Sequence, residues 1–463
     1  MNSALSANAR RYLPAAAGLG VWAALIALAP DLTAKALLFA PAVALLLAGW
    51  TLAQSGRWVA LFLTTALLLP PLPVAVGDSG PHPSLVFAAI GVWAGLLWIR
   101  GWRVPRTGVS GGLLALTAAL LASVGMAAVN SGVEIAAGSL IRVGLFGIGV
   151  YVFFFAAGAT EAGLPSVRWI YWCAVAAALF ACVDFYFQFP APAGYGPQFV
   201  WLDSGVFRRA QGLFYEASTL GNFCVFFLVM IAVAFARPRN ESPVSRAGLA
   251  AGGAILFAAM VLSYSRASAV NLGVALLVLL WWNRSRVRLG RLVLWTAALG
   301  GCAALVVWKI FPEFAEMYWL RLSYSAEYLT SATETVLSGR LASWQSLLSW
   351  IEAHPLQAMV GIGYKTLPYT EYLGAPVVAD NMYLSLLVET GIVGLAALVW
   401  LNVAIVKAAA RAARSTDNRR AFCGLWMLCF WCGEAVQMAS GDLLTYWRVL
   451  PVYFFILALA LRV

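Results

Sequence analysis

The sequence predicts an all-α polytopic membrane protein, with about twelve to fourteen transmembrane helices and one large external loop containing short helices of its own. Three observations carry this. Of 463 residues, 62% are hydrophobic and only 11% charged, with mean hydropathy +0.84, whereas a soluble domain is roughly a quarter charged. The apolar runs are continuous and about 20 residues long, the length a helix needs to cross a bilayer. Short alternating segments, the mark of a transmembrane β-barrel, are missing. Finally, the basic residues are sorted between alternate connections.

The spans fall at about 12–30, 35–53, 58–76, 84–99, 110–129, 138–159, 167–189, 213–235, 247–264, 267–282, 291–311, 382–406, 420–439 and 448–462. The first follows Arg10-Arg11 and reads as a retained span, not a cleaved leader. Those at 84–99 and 267–282 are short, so twelve or thirteen crossings are also compatible with the pattern. With both termini inside, about two thirds of the 30 Lys and Arg fall on the cytoplasmic side, as the positive-inside rule requires. The net charge of +11 is then a topology signal and calls for no nucleic-acid partner.

The seven cysteines, Cys173, Cys182, Cys224, Cys302, Cys423, Cys429 and Cys432, all lie in predicted spans and read as small apolar packing residues. Cys429 and Cys432 form a C-x-x-C spacing, but without charged neighbours. The two histidines, His82 and His354, are far apart, so the sequence offers no metal-binding constellation. A phosphate-binding glycine loop is likewise missing. No cofactor is expected.

Chemistry is expected in the two longer external loops, about 190–212 and 312–381. The first carries Arg208-Arg209 and runs into Gln211-Gly-Leu-Phe-Tyr-Glu216. In the second, Leu341, Trp344, Leu347, Leu348 and Ile351 recur at helical spacing, predicting a short amphipathic helix against the membrane surface. Ser338 is its candidate N-cap, and His354-Pro355 ends it. Arg340 in the first turn opposes the helix dipole unless an anion such as phosphate sits beside it; an interfacial arginine on lipid headgroups is the alternative. Arg266, at the external turn after Ser263-Tyr264-Ser265, needs an anionic partner or water, and Glu216 is the nearest carboxylate by topology. Asp380-Asn381 opens the twelfth span, where Asp380 could serve as a helix cap. Glu389, deeper in that span, reads as a polar clasp to a neighbouring helix.

Taken in order, Arg209-Ala-Gln-Gly-Leu-Phe-Tyr-Glu216, Ser263–Arg266, Ser338-Gly-Arg340 with Trp344, His354-Pro-Leu, Gly361-Ile-Gly363 and Asp380–Gly394 resemble the motifs of the O-antigen ligase/polymerase superfamily. These are Wzy-like polysaccharide polymerases and O-antigen ligase-related integral-membrane glycosyltransferases. The likeness covers about 205–395. It implies a GT-C-like architecture, with N-terminal transmembrane helices over 1–189 and a catalytic region over 190–463. It also implies metal-independent, inverting transfer from an undecaprenyl-diphosphate-linked glycan at the periplasmic face of the bacterial inner membrane. Arg266, Arg340 and Arg209 would hold the diphosphate, with Arg208, His354 and Asn381 as further candidates, and Asp380 and Glu216 would be the candidate bases. Ligases of the family carry His where this chain has Asp380, which favours a polymerase extending a growing polysaccharide acceptor over a ligase to lipid A-core. A chain-length regulator is an expected further partner. A lipid-linked oligosaccharide flippase would share the composition but should show internal repeats, and a non-catalytic scaffold is a third reading.

Overall fold

The computed structural model describes residues 20–72, 81–103, 105–158, 163–192, 194–202, 205–284, 340–374 and 376–462, with Gly18 and six single positions between 308 and 323. The predicted eleventh span, Arg286, Arg288, Arg291, Cys302 and the Ser338-Gly339 cap lie outside the described residues, as does the start of the first span.

Helices dominate because the apolar runs are long and their boundaries are punctuated. In order they are α1 Leu32–Ala53, α2 Arg57–Leu68, α3 Ser84–Leu97, α4 Gly108–Ser131, α5 Val133–Gly158, α6 Val167–Phe187, α7 Ala217–Ala236, α8 Arg246–Leu262, α9 Arg266–Trp282, α10 Arg340–Ala353, α11 Pro355–Val360, α12 Met382–Ala413, α13 Asn418–Gln437 and α14 Leu450–Leu461. Short polar side chains cap the starts: Thr107, Ser166, Ser245, Ser265, Asn381 and Asp417 each accept from a backbone N–H of the first turn, satisfying donors the helix leaves open. Helix α2 is shorter than the 58–76 expected because Pro70 and Pro71 follow it and cannot continue the backbone ladder. Helices α4, α5, α6, α7 and α12 are each long and apolar enough to cross a membrane, and α2, α3, α8, α9 and α14 are shorter apolar helices. The chain is an all-α polytopic membrane protein.

Its centre is built by α7, α9, α12, α13 and α14. Helix α12 packs on α4 and α13, and α9 packs on α13 and α7. Phe226, Trp426, Phe430 and Tyr453 interlock, with ring centroids 4.3–4.9 Å apart. Beside them is a polar cluster. Asn222 and Asn271 both donate to Glu434 and to Gln437, and Tyr453 donates to Asn222. Among lipid-soluble helices such bonds fix register. The six described cysteines are unpaired thiols.

Two ends can be told apart. One collects 164–168, 240–243 and 418–423 around a pocket that Arg168 and Arg419 line. The other collects the connections before α7, α9 and α12 and the segment after α13. At that second end, Phe199–Leu202 (β1) pairs antiparallel with Gly205–Arg208 (β2), Phe199 opposite Arg208. Arg448 ties this end to the N-terminal helices by donating to Ala66 O, Leu69 O and Leu213 O. Burial pushes its pKa down to about 10.

The amphipathic helix α10 is present, but its apolar side does not simply rest on lipid. Leu347 is fully buried in a small second core with Ile362, Leu367, Ala379, Leu384 and Val388, against which Trp344, Trp350 and Ile351 pack. Beneath it α12 is broken at Gly391, whose φ of 70° no side chain adopts easily. The carbonyls freed by the break are taken up by Ile362 N (3.0 Å to Val388 O) and Gly363 N (2.9 Å to Glu389 O), so irregular backbone at membrane depth remains satisfied by protein.

Candidate active site

At the end that holds β1 and β2 lies a cavity of about 280 Å³, walled by Arg142, Glu216, Ser218, Arg340, Lys365, Tyr369, Asp380, Ser385, Glu389, Asp442, Thr445 and Tyr446 among others. It combines carboxylates and cations from six separate parts of the chain, which only the tertiary fold brings together.

Arg340 is the first residue of α10, and its Nε donates to Asp380 Oδ2 at 3.0 Å. The dipole conflict expected for Arg340 is thus met by a carboxylate of the protein itself. Trp344, one turn on, donates to Ala379 O at 2.6 Å, locking helix and loop together. Asp380 has φ 45°, a left-handed conformation uncommon for a side-chain-bearing residue. It is not the helix cap. That role belongs to Asn381, whose Oδ1 accepts from Leu384 N at 3.1 Å, so Asn381 is explained by local structure.

Glu216 immediately precedes α7, held there because Tyr215 takes a left-handed turn (φ 56°). Gln211 fixes that turn, donating to Tyr215 O at 2.7 Å and Gly196 O at 3.0 Å. Thr219 Oγ1 donates to Glu216 at 2.6 Å. Burial pushes the Glu216 carboxyl above the ordinary range. The Thr219 bond pulls it back, Asp442 raises it further, and Lys365 and Arg209 lower it; the net shift is upward. Glu216 is not seen paired with Arg266.

Arg209 donates through Nε to Ser263 O at 2.8 Å, joining the R-x-x-G-x-F segment to the turn before α9. Burial lowers its pKa, and the like charges of Arg340 and Arg266 act in the same direction, while Glu216 and Tyr446 oppose. Arg266, first residue of α9, also feels Arg340. These three arginines therefore share one electrostatic neighbourhood, although Arg209 and Arg266 do not themselves wall the cavity. Two candidates stand elsewhere. Arg208 faces Asp184 at 3.7 Å and lines a separate small cavity. His354 stacks on Trp350 at 4.8 Å, and its Nδ1 bonds Trp350 O.

Several wall residues escaped the sequence reading. Lys365 pairs with Asp442. Burial works against the ammonium, but Asp442 and Glu389 outweigh it and the shift is upward. Tyr446 is fully buried and its hydroxyl pushed well up by burial, with Glu216 and Asp442 adding. Arg142, inside α5, lies over the Tyr369 ring at 4.7 Å and donates to its hydroxyl at 2.8 Å. An arginine within an apolar span was a legible signal; Lys365 and Asp442, in short polar connections, gave none. Glu389 is 1% exposed and accepts from Leu367 N at 3.3 Å, so it clasps the 361–367 loop to α12 and not a neighbouring helix. Among the described residues, no three His, Cys, Asp or Glu side chains converge as a metal-binding set.

A search of the curated proteins returned no match. Residues 251–399, running from within α8 through α9 and α10 to the middle of α12, match the family model described as O-Antigen ligase, so this third of the chain is similar to that family.

Proposed function

We propose that the protein is an inner-membrane glycosyltransferase that polymerises undecaprenyl-diphosphate-linked saccharide units, with the cavity at the periplasmic face. The observation that carries this reading is the convergence of Arg340, Asp380, Glu216 and Lys365 on one cavity, with Arg209 and Arg266 in electrostatic reach. Part of that cavity is built by the family-matched segment.

In the proposed step, an acceptor sugar hydroxyl attacks the anomeric carbon of the lipid-linked unit from the face opposite the diphosphate. The new glycosidic C–O bond forms as the bond to the diphosphate oxygen breaks, inverting the configuration. The bonding pair leaves with undecaprenyl diphosphate, whose growing charge the arginines stabilise. Guanidinium suits this because its planar fork binds two phosphate oxygens at once. Arg340 is well placed: among the described residues its Nη groups have no hydrogen-bond partner.

The hydroxyl proton goes to Glu216. A useful base titrates near working pH, and burial moves Glu216 in that direction. Asp380, bonded to Arg340, suits orientation of the arginine or the acceptor. The acidic Asp380, where ligases of the family have His, favours polymerase over ligase. On the proposed topology the arginine-rich opposite end faces the cytoplasm, as do both termini.

The test is direct. Purified protein in nanodiscs is given a defined undecaprenyl-diphosphate-linked repeat, and polymer ladder and released undecaprenyl diphosphate are measured together. Ladder formation that disappears in Arg340→Ala supports the proposal. Transport of the intact lipid-linked saccharide across a bilayer, without release of undecaprenyl diphosphate, overturns it.

A further inference from the structure

The segment that builds the main cavity also builds a second one, residue by residue. Glu216 walls the main cavity, while its neighbour Tyr215 lines a separate cavity of about 210 Å³ with Arg208, Asp184, Phe189, Pro190 and Pro197. Consecutive Cα atoms are about 3.8 Å apart, so Tyr215 and Glu216, adjacent in the chain, bring the two cavities close together at that point.

The polar groups of the small cavity are under-used. Asp184 and Arg208 face each other at 3.7 Å with side chains only 10% and 17% exposed, too far apart for a hydrogen bond. Arg208 Nε is buried without a partner, and the Asp184 carboxylate is met by the Phe189 backbone. A buried donor left without a partner loses its water and gains no bond in return. Gln211, by contrast, spends both its amide groups on backbone partners and simply holds the wall. The remaining walls are rings: Tyr215 stacks on Tyr195 with centroids 4.9 Å apart, and Phe189 stacks on Phe180 at 6.0 Å.

An acceptor and a donor side by side, with apolar rings around them, match a ligand whose neighbouring groups each give and take a hydrogen bond and whose body is C–H. A phosphate would be repelled by Asp184 and a cation by Arg208. We propose that this cavity is a saccharide subsite gripping one neutral pyranose by adjacent hydroxyls, one donating to Asp184 and one accepting from Arg208, with ring C–H groups against Tyr215 and Phe189. Its meaning rests on the glycosyltransferase reading: the unit held here, from the growing chain or from the lipid-linked repeat, sets which sugar stands beside Glu216.

The binding test is independent of turnover. The full chain in nanodiscs is titrated with methyl glycosides of neutral hexopyranoses, followed by saturation-transfer NMR. Saturable binding should weaken about tenfold or more in Asp184→Asn and in Arg208→Gln. It should stay within about twofold in Arg340→Ala, which alters only the main cavity. Thermal unfolding matching the parent shows that the variants are folded, and Tyr215→Phe, which keeps the ring, should retain binding. Absence of binding to any glycoside, or binding unmoved in folded Asp184→Asn and Arg208→Gln, overturns the proposal. With lipid-linked repeat and free acceptor oligosaccharide, a rise in KM for the acceptor alone assigns the growing chain, and a rise for the donor alone assigns the repeat. Neither moving overturns the proposal. Binding that depends on Asp184 in a protein with no transferase activity would sink the proposed function and leave this subsite standing.

Discussion

Arg340 and Asp380 meet across forty residues of chain, guanidinium to carboxylate at 3.0 Å, with side chains 29% and 47% exposed. That exposure decides what the pair is for. An ion pair so open to solvent contributes only about 0–1 kcal/mol to stability, and Asp380 sits in a left-handed backbone conformation to make it. Such local strain is retained where it serves a site.

Removing the guanidinium should therefore affect turnover far more than folding. Arg340→Ala is expected to lower kcat by about 10²-fold, the usual cost of losing one charge-stabilising donor. Arg340→Lys should remain well below wild type because the ammonium cannot span two phosphate oxygens. Both should unfold at the parent temperature. Polymer ladders and thermal scans in detergent check the two halves.

As the proposed base, Glu216 should set the acid limb of the pH profile. A base must be ionised to work, so activity rises as pH rises through its pKa. Burial has moved that pKa upward, so the limb should lie above the usual carboxylate range near 4.3. Glu216→Gln should lose about 10²–10⁴ in kcat and flatten the limb. A limb that survives in Glu216→Gln assigns the proton elsewhere. Asp380 is the obvious alternative, and Asp380→Asn with Asp380→His separates the roles: an orienting Asp380 leaves Asn substantially active, whereas a base leaves Asn nearly dead and His partly active.

The spans were legible because twenty apolar residues can do little else in a bilayer. Helices α4, α5, α6 and α7 begin and end within about five residues of the runs that predicted them, and α12 begins where its run begins but continues seven residues further, to Ala413. Arg340, Asp380 and Glu216 were legible as charges that a lipid-soluble chain would not place idly. What sequence could not show was pairing at long range. Lys365 and Asp442 look like ordinary polar loop residues until the fold sets them 77 apart in one ion pair. The paired strands Phe199–Leu202 and Gly205–Arg208 are four residues each, too short to stand out in the sequence, and Asp380 and Asn381, adjacent and alike, trade the roles that spacing alone would assign.

The Lys365–Asp442 pair is the structural opposite of Arg340–Asp380. Its side chains are 14% and 15% exposed, and breaking a buried pair leaves one uncompensated charge. Lys365→Met or Asp442→Asn should each destabilise by about 3–5 kcal/mol, whereas Lys365→Met with Asp442→Leu together should recover most of it. Chemical unfolding of the three variants in detergent measures the coupling.

Gly391 is a backbone requirement. At φ 70° its α-carbon faces the Met359 carbonyl so closely that a Cβ has no room. Gly391→Ala should separate α11 from α12, release the Ile362 and Gly363 hydrogen bonds and let Glu389 drift from the Leu367 N–H. Activity should fall with protein still in the membrane, and hydrogen exchange should rise first at 361–367. Unchanged exchange there would mean the break tolerates a side chain.

Everything proposed for the site depends on its facing the periplasm. The fold places the cavity at one end of α7, whose twenty residues span about 30 Å at 1.5 Å each, and Asn240 just beyond the other end. Glu371 belongs to the loop that closes the cavity side, and both positions are exposed. In spheroplasts an impermeant maleimide should label Glu371→Cys at once, in a variant whose native cysteines are replaced by alanine. Asn240→Cys should react only after lysis. The sign follows from the arginines, since Arg237, Arg239, Arg246, Arg419 and Arg420 crowd the Asn240 end and basic connections stay in the cytoplasm. Labelling of Asn240→Cys from outside would turn the protein over, put Arg340 and Glu216 on the cytoplasmic face, and end the case for polymerisation in the periplasm.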